Sequence, residues 1–283
     1  MFGVTSAPFL AIRALQQLGK KHKDQFPLAF KSIQENFLVD NLLSGASTIE
    51  EALQIKQEIT TVLSKGQFFL QKWASNHPQV FSAVNPEERD NYSLDLVEDS
   101  PIKTIGLYWH PASDTFGVNI CTPQFTPTIT KRQVLSFTAK IFDPLSWLAP
   151  VTITPKIFLQ TLWKEQYGWD DPLPHHHFQK WMKYCRELES LKTFRILRCI
   201  NPLHSSSQQF DLVGFCDASN VAMAACVYLR TKGGEGVTVE LIAAKTKVAP
   251  VNGETTPRSE MCSAVLLVFS RELGHHRTQT DMH

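Results

Sequence analysis

Residues 210–261 read FDLVGFCDASNVAMAACVYLRTKGGEGVTVELIAAKTKVAPVNGETTPRSEM. Three runs in this stretch, Phe210–Asp217, Val221–Thr231 and Val237–Val248, are rich in β-branched and apolar residues. Short polar connections separate them, so they predict three successive strands of an antiparallel meander. Thr256-Pro257 then opens a helix, because proline is preorganised for the first helical turn. Helical spacing puts Met261, Ala264, Val265 and Val268 on the face expected to be buried. Beyond Gly274 the chain turns polar (HHRTQTDMH).

Upstream of this meander, Asn201–Gln209 is a polar linker and an expected domain boundary. The segment before it is helical. Thr130 and Gln133 form a capping box that opens a helix to about Phe142. Asp143-Pro144 ends it, since a residue before proline avoids the helical region. Thr154 with Pro155 at the first position predicts a second helix, to Gly168. A third, about Phe178–Leu191, places Phe178, Trp181, Met182, Cys185 and Leu188 on one face. Earlier still, Ile102–Trp109 and Phe116–Cys121 predict a hairpin around Pro111–Asp114, after a polar loop at Asn85–Ser100. Thr48 and Glu51 predict another capping box and a helix over 48–65, with Gly66 as its C-terminal cap. Gln67–Trp73 (QFFLQKW) reads as a strand.

The chain has 283 residues, 28 Lys+Arg against 27 Asp+Glu, and is 43% hydrophobic. Such balance excludes a disordered chain. A membrane span needs about 20 apolar residues, and Ala264–Phe269 (AVLLVF) is far shorter, so no membrane partner is expected. Met1–Leu10 has no basic leader and no small-residue cleavage site, which argues against a signal peptide. None of the six cysteines forms a C-x-x-C pair. That pattern suits a reducing intracellular compartment, cytoplasmic or nuclear. Residues 101–200 hold 12 basic and 7 acidic side chains, net +5, between flanks of net −3 and −1. A basic middle of this kind either faces a polyanion or is ordinary scatter.

Few residues suggest chemistry by themselves. Asp40, in LVDNLL, is either a Mg²⁺ ligand at a tight hairpin or half of a turn-forming Asp-Asn pair; the six residues alone favour the turn. Asp217 ends a strand in GFCDAS, and Glu260 lies in the first turn of the last helix. Singly they read as a turn residue and a carboxylate favoured by the helix dipole. Together, in one meander, they point to a cation that prefers oxygen ligands. His175-His176-His177 reads as a solvated loop before a helix, because consecutive residues cannot all face one ion. His275, His276 and His283 get the same reading. No G-x-S-x-G, H-E-x-x-H, P-loop, G-x-G-x-x-G or D-[ST]-G occurs.

Nine stretches in order resemble the Pol polyprotein of BEL/Pao-type LTR retrotransposons: FGVTSAPFLAIRAL, ENFLVDNLLSGASTIEEAL, GQFFLQKWASN, TIGLYWHPASDTFGV, TKRQVLSFTAKIFDPLSWLAPV, LWKEQYGWDDPLP, GFCDASNVAMAACVYLR, LIAAKTKVAP and TTPRSEM. The resemblance spans nearly the whole chain. It implies an α+β fold in three parts. Residues 1–100 resemble a partial reverse-transcriptase palm, 101–205 a helical thumb and connection, and 206–283 the N-terminal part of an RNase H-like domain. The implied activity is RNA-directed DNA polymerase with RNase H, by Mg²⁺-assisted phosphoryl transfer on an RNA or DNA primer–template, within a longer Pol polyprotein. The middle region of the family is also described as an A17 peptidase, for which this sequence shows no residues.

The resemblance assigns roles residue by residue. Phe2, Gly3, Ser6 and Pro8 match the segment near the incoming nucleotide and template. Lys72 and Trp73 match a segment beside the primer end. Lys131, Arg132, Lys140 and Lys156, on predicted thumb helices, are expected to contact phosphates. Asp40 matches the first aspartate of the polymerase motif, and Asp217 and Glu260 match the first two RNase H ligands. Two departures stand out. The motif of an aromatic residue, a variable one and two aspartates reads Leu38-Val39-Asp40-Asn41. The principal palm aspartate belongs upstream of the matched segment, and the third RNase H ligand belongs downstream, where Asp281 is the only later candidate. The expectation is a chain inactive in DNA synthesis as written. The alternative is a non-catalytic nucleic-acid-binding module, or a domesticated or pseudogene product.

Overall fold

A computed structural model describes residues 6–38, 40–90, 102–104, 107–118, 127–199, 209–233 and 236–281. The chain divides into two compact units, residues 1–101 with 111–113 and residues 102–110 with 114–283. The architecture is α+β, with eight α-helices and three antiparallel sheets among the described residues.

The first unit is mainly helical: α1 (Ala7–Lys21), α2 (Pro27–Glu35), α3 (Ile49–Lys65) and the short α4 (Pro78–Ser82). Leu15, Ala29, Ile33, Ile59, Val62 and Leu63 form its core. Gly19 lets α1 approach α2, since a Cβ there would stand 3.2 Å from Ile33. One carboxylate ties two helices together. Glu58 of α3 is buried, and its Oε2 accepts from Leu28 N and Ala29 N at 3.0 and 3.1 Å. It satisfies amide groups that the start of α2 leaves without helical partners. Thr48 caps α3 as expected, accepting from Glu51 N, but the Glu51 side chain accepts from Ser47 N, one residue before the cap. Between α2 and α3, β1 (Phe37–Leu38) and β2 (Asn41–Leu42) form a minimal hairpin.

Gln67–Trp73 is not a strand. Gln67 and Lys72 have φ values of 60° and 57°, which break an extended run at both ends. Phe68 N donates to Leu63 O and Gln67 N to Ser64 O, the two bonds of a Schellman cap. The left-handed residue of that cap is Gln67 rather than Gly66, whose φ is −99°.

The second unit opens with a four-stranded antiparallel sheet, β3 (Ile102–Thr104), β4 (Leu107–His110), β5 (Thr115–Gly117) and β6 (Arg195–Leu197), in that order. The run expected as one strand, Ile102–Trp109, is therefore two strands paired with each other, Ile102 opposite Trp109. Asp114, at φ 49°, holds β5 to the end of β6 by a two-pronged pair with Arg198 at 2.6 and 2.9 Å.

Three helices follow. The Thr130–Gln133 capping box is complete and opens α5 (Lys131–Lys140). The next helix, α6 (Ala149–Lys164), starts five residues before Thr154, at Ala149-Pro150. Pro155 thus lies inside it and cannot donate to Val151 O. That carbonyl instead accepts from the Tyr184 hydroxyl at 3.3 Å. Proline is tolerated because another helix, α7 (His175–Glu187), supplies the missing donor. The α7 face expected from the sequence is the buried one: Trp181, Cys185 and Leu188 are 2%, 0% and 1% exposed, with Phe178 and Met182 packed beside them.

The meander is as expected, with β7 (Gln209–Ala218), β8 (Ala222–Gly233) and β9 (Gly236–Val248) in sheet order β7-β8-β9. Its last helix is α8 (Thr256–Asp281). Alternate β8 residues Met223, Ala225, Val227, Leu229 and Thr231 are buried. A Cβ on Gly214, opposite Val227, would stand 2.6 Å from Leu267 of α8, so α8 covers this face. The expected apolar face of α8 is not the buried one. Met261, Val265 and Val268 are 72%, 53% and 58% exposed, while Ser259, Ser263 and Ser270 are buried. The sheet already presents bulky side chains, so the helix approaches through small ones. Ser263 and Ser270 satisfy their hydroxyls on the helix's own carbonyls, Glu260 O and Leu266 O, at 2.7 and 2.9 Å. That removes most of the cost of burying them. The β9 side is also covered: Trp147 Nε1 donates to Ile242 O, Ala244 N donates to Leu145 O, and α6 packs along β9. Ile242 is the extra residue of a bulge, skipped between the pairs Val227–Ala243 and Tyr228–Leu241.

Candidate functional site

The C-terminal sheet places its two predicted carboxylates by topology. Ala218 pairs with Met223 and Ala222 with Val248, so β7 and β9 finish at the same end of the sheet. The chain turns there through Pro250–Thr255 into α8, which runs back over β7 and β8. Asp217 on the next-to-last residue of β7 and Glu260 in the fifth position of α8 therefore share one end of the sheet. Both are exposed, and among the described residues neither makes an ion pair. Asp217 Oδ1 accepts from Ala218 N at 2.8 Å, and among the described residues no donor reaches Oδ2. Asp217 lies opposite the exposed Ala224, on the sheet face that α8 does not cover, and β7 is the edge strand. A shared ion would be reached around that edge. Two accessible oxygen donors with no competing cation suit Mg²⁺, which takes one or two carboxylates and fills its remaining positions with water or phosphate oxygens.

Asp40 is exposed in the turn of the β1–β2 hairpin, where Leu38 pairs with Asn41. Asn41 Nδ2 donates to Asp40 Oδ1 at 3.3 Å. Ser6 and Pro8 are exposed at the start of α1, while Phe2 and Gly3 lie outside the described residues. Lys72 is exposed with a left-handed backbone. Trp73 is held by its backbone, accepting from Asp90 N and donating to Glu88 O at 2.9 and 2.8 Å.

The four basic residues of the middle separate into two kinds. Lys140 and Lys156 are exposed. Lys131 is not a surface cation: it is 3% exposed, donates to Tyr167 O and lies over the rings of Trp163 and Trp169 at 4.0 and 5.0 Å. Aromatic faces and a carbonyl replace the water its charge gives up. Arg132 is exposed but makes a two-pronged pair with Asp170 at 2.7 and 2.8 Å. Each partner holds the other in its charged form, the Asp170 carboxyl below its ordinary range and the Arg132 guanidinium above.

One cluster escaped the sequence reading. His175–His177 are not a loop but the first turn of α7, and His177 is 1% exposed. Its Nε2 lies 2.6 Å from Glu165 Oε2, and the His176 ring lies beside it, tilted by 42° with ring centroids 4.0 Å apart. Among the described residues, Glu165, His176 and His177 are the only three His, Cys, Asp or Glu side chains whose ligand atoms all lie within 4.8 Å of one another. The signal that could have found them was the helix boundary: once α7 starts at His175, its third residue turns inward against α6.

No helix among the described residues is long and apolar enough to cross a membrane. No curated protein matches the chain. A family model, the Pao retrotransposon-like RNaseH-like domain, matches residues 130–281, which take in α5 to α8 and the whole β7–β9 sheet. That is more than half of the 283 residues, and the chain belongs to the Pao retrotransposon-like RNaseH-like family.

Proposed function

We propose that the chain is a segment of a retrotransposon Pol protein, and that Asp217 and Glu260 hold Mg²⁺ at one end of its RNase H-type sheet. The observation that carries this reading is topological: a strand-end aspartate and a glutamate near the start of α8, at its fifth position rather than in the first turn, lie at the same sheet end with no ion-pair partner among the described residues. Mg²⁺ bound there would polarise a phosphodiester and its attacking water. The protein's own part is to hold two carboxylates at one end of the sheet, open to a nucleic-acid backbone. The first unit would be palm-derived, with Asp40 its remaining metal ligand. Asn41 brings no charge to that hairpin, so the first unit alone is expected to be inactive in DNA synthesis.

Mn²⁺, followed by its electron spin resonance, tests the site in the full 283-residue chain. Binding at this site should weaken at least tenfold in Asp217→Asn and in Glu260→Gln, and that same component should be retained in Asp40→Asn. Equal binding in all variants would remove the carboxylate pair from consideration. A second reading, phosphate contact without catalysis, is favoured by the exposure of Lys140 and Lys156. On that reading, replacing both by alanine lowers the salt dependence of hybrid binding by about two counterions.

A further inference from the structure

The Glu165, His176 and His177 cluster lies at a junction. Glu165 is the C-terminal cap of α6, and the two histidines stand in the first turn of α7. Between them runs Gln166–Pro174, where Gly168 N donates to Asp171 Oδ2 at 2.7 Å. The His177 ring is fixed on two sides, with Phe158 and Tyr167 edge-on to it at 5.6 Å each. It is held more firmly than a solvated histidine, yet its Nδ1 is a buried atom with no hydrogen-bond partner.

The donor set has a chemical preference. Two imidazoles and one carboxylate suit zinc or a neighbouring transition ion better than Mg²⁺, which favours all-oxygen surroundings. Zn²⁺ sites built from three protein ligands keep the fourth position for water. That matches the asymmetry here, since His177 is buried while Glu165 and His176 are exposed. The contact between His177 Nε2 and Glu165 Oε2 is a proton's length, not a metal's. With Zn–N and Zn–O bonds of about 2.0–2.2 Å, the two donor atoms must separate by somewhat less than an ångström. Glu165 is free to do so, because its side chain is 43% exposed.

We propose that Glu165, His176 and His177 form a Zn²⁺ site that clips the end of α6 to the start of α7. The site is chemically distinct from the carboxylate pair at Asp217 and Glu260, lies on other elements, and does not depend on the Mg²⁺ reading. It closes the Gln166–Pro174 connection, replaces a shared proton by a cation, and leaves a fourth position for water.

The test is equilibrium dialysis of the full chain against micromolar Zn²⁺ with millimolar Mg²⁺ present, followed by elemental analysis. The background carries His275→Asn, His276→Asn and His283→Asn, so that the C-terminal histidines do not contribute. A single Zn²⁺ should be retained. Glu165→Gln and His176→Ala, both at exposed positions, should each raise its dissociation constant at least about a hundredfold, because loss of even an outer partner of a ligating histidine costs about 10–100-fold. Zn²⁺ should also raise the melting temperature of the parent and leave both variants unmoved. Co²⁺ should show tetrahedral visible absorption in the parent alone. Failure to retain Zn²⁺, or retention unchanged in both variants, would overturn the proposal.

Discussion

The helices of residues 127–193 and the sheet of residues 209–281 use opposite strategies, although they belong to the same compact unit. The helical region has short elements around a dense core. Trp181 alone stacks on Phe158 at 5.9 Å, meets Phe137 edge-on at 5.6 Å and leans on Tyr184 at 5.5 Å. Among the described residues the sheet has the longest strands, with unbroken pairing over all ten residues of β7, yet its buried side chains are confined to alternate positions of β8 and to Ile242 and Ala243 of β9. Its other face leaves Phe215 and Val239 60% and 56% exposed. Regular hydrogen bonding and burial are separate achievements. Exchange of water bonds for ladder bonds yields little net free energy, whereas stability in water comes mainly from apolar area removed from it.

The comparison breaks most visibly at Trp181. Trp181→Ala should lower the unfolding free energy by about 3–5 kcal/mol in urea titration, the range for emptying a fully buried aromatic site. A loss below about 1 kcal/mol would mean that the helical core is not centred there.

Acid titration gives a smaller effect in the same region. The hydrogen bond from His177 is the main cause that holds the Glu165 carboxyl below its ordinary range. A depressed carboxylate contributes stability that is present above its unfolded pKa and lost as pH falls through the folded one. Melting temperature in metal-free buffer should therefore fall faster on acidification in the wild type than in Glu165→Gln, which has nothing to titrate there. Parallel curves would assign the contact no weight in stability.

The smallest effect belongs to the open face of the sheet. Phe215→Ser should change stability by no more than about 0.5 kcal/mol while raising solubility, because it interrupts an exposed apolar patch. A cost like that of Trp181→Ala would show that the face is covered after all.

Much of this contrast was legible in the sequence. The capping box at Thr130, the α7 face and the three strands of the meander all follow from local rules, and the structure has them. What escaped depends on neighbours. Pro155 looked like a helix start because its missing donor is made good only by Tyr184, 29 positions later in the chain. Lys131 looked like a surface cation because its aromatic cage comes from Trp163 and Trp169. The buried face of α8 was missed because apolar residues run over two adjacent stripes of the helix, and the sheet, not the helix, selects the one with serines. His177 was passed over for the same kind of reason, since its partner Glu165 lies across a turn.

The bond from Tyr184 to Val151 also bears on the order of events in folding. A helix normally closes its ladder from within, each amide reaching back four positions. In α6 the amide due at Pro155 does not exist, and its replacement arrives on a different helix. Until α7 has docked, α6 is a rod with a gap in it; once α7 has docked, neither helix can leave without reopening that gap. The two helices thus share one opening event, and the proline that would ordinarily divide a helix makes a pair of helices behave as one.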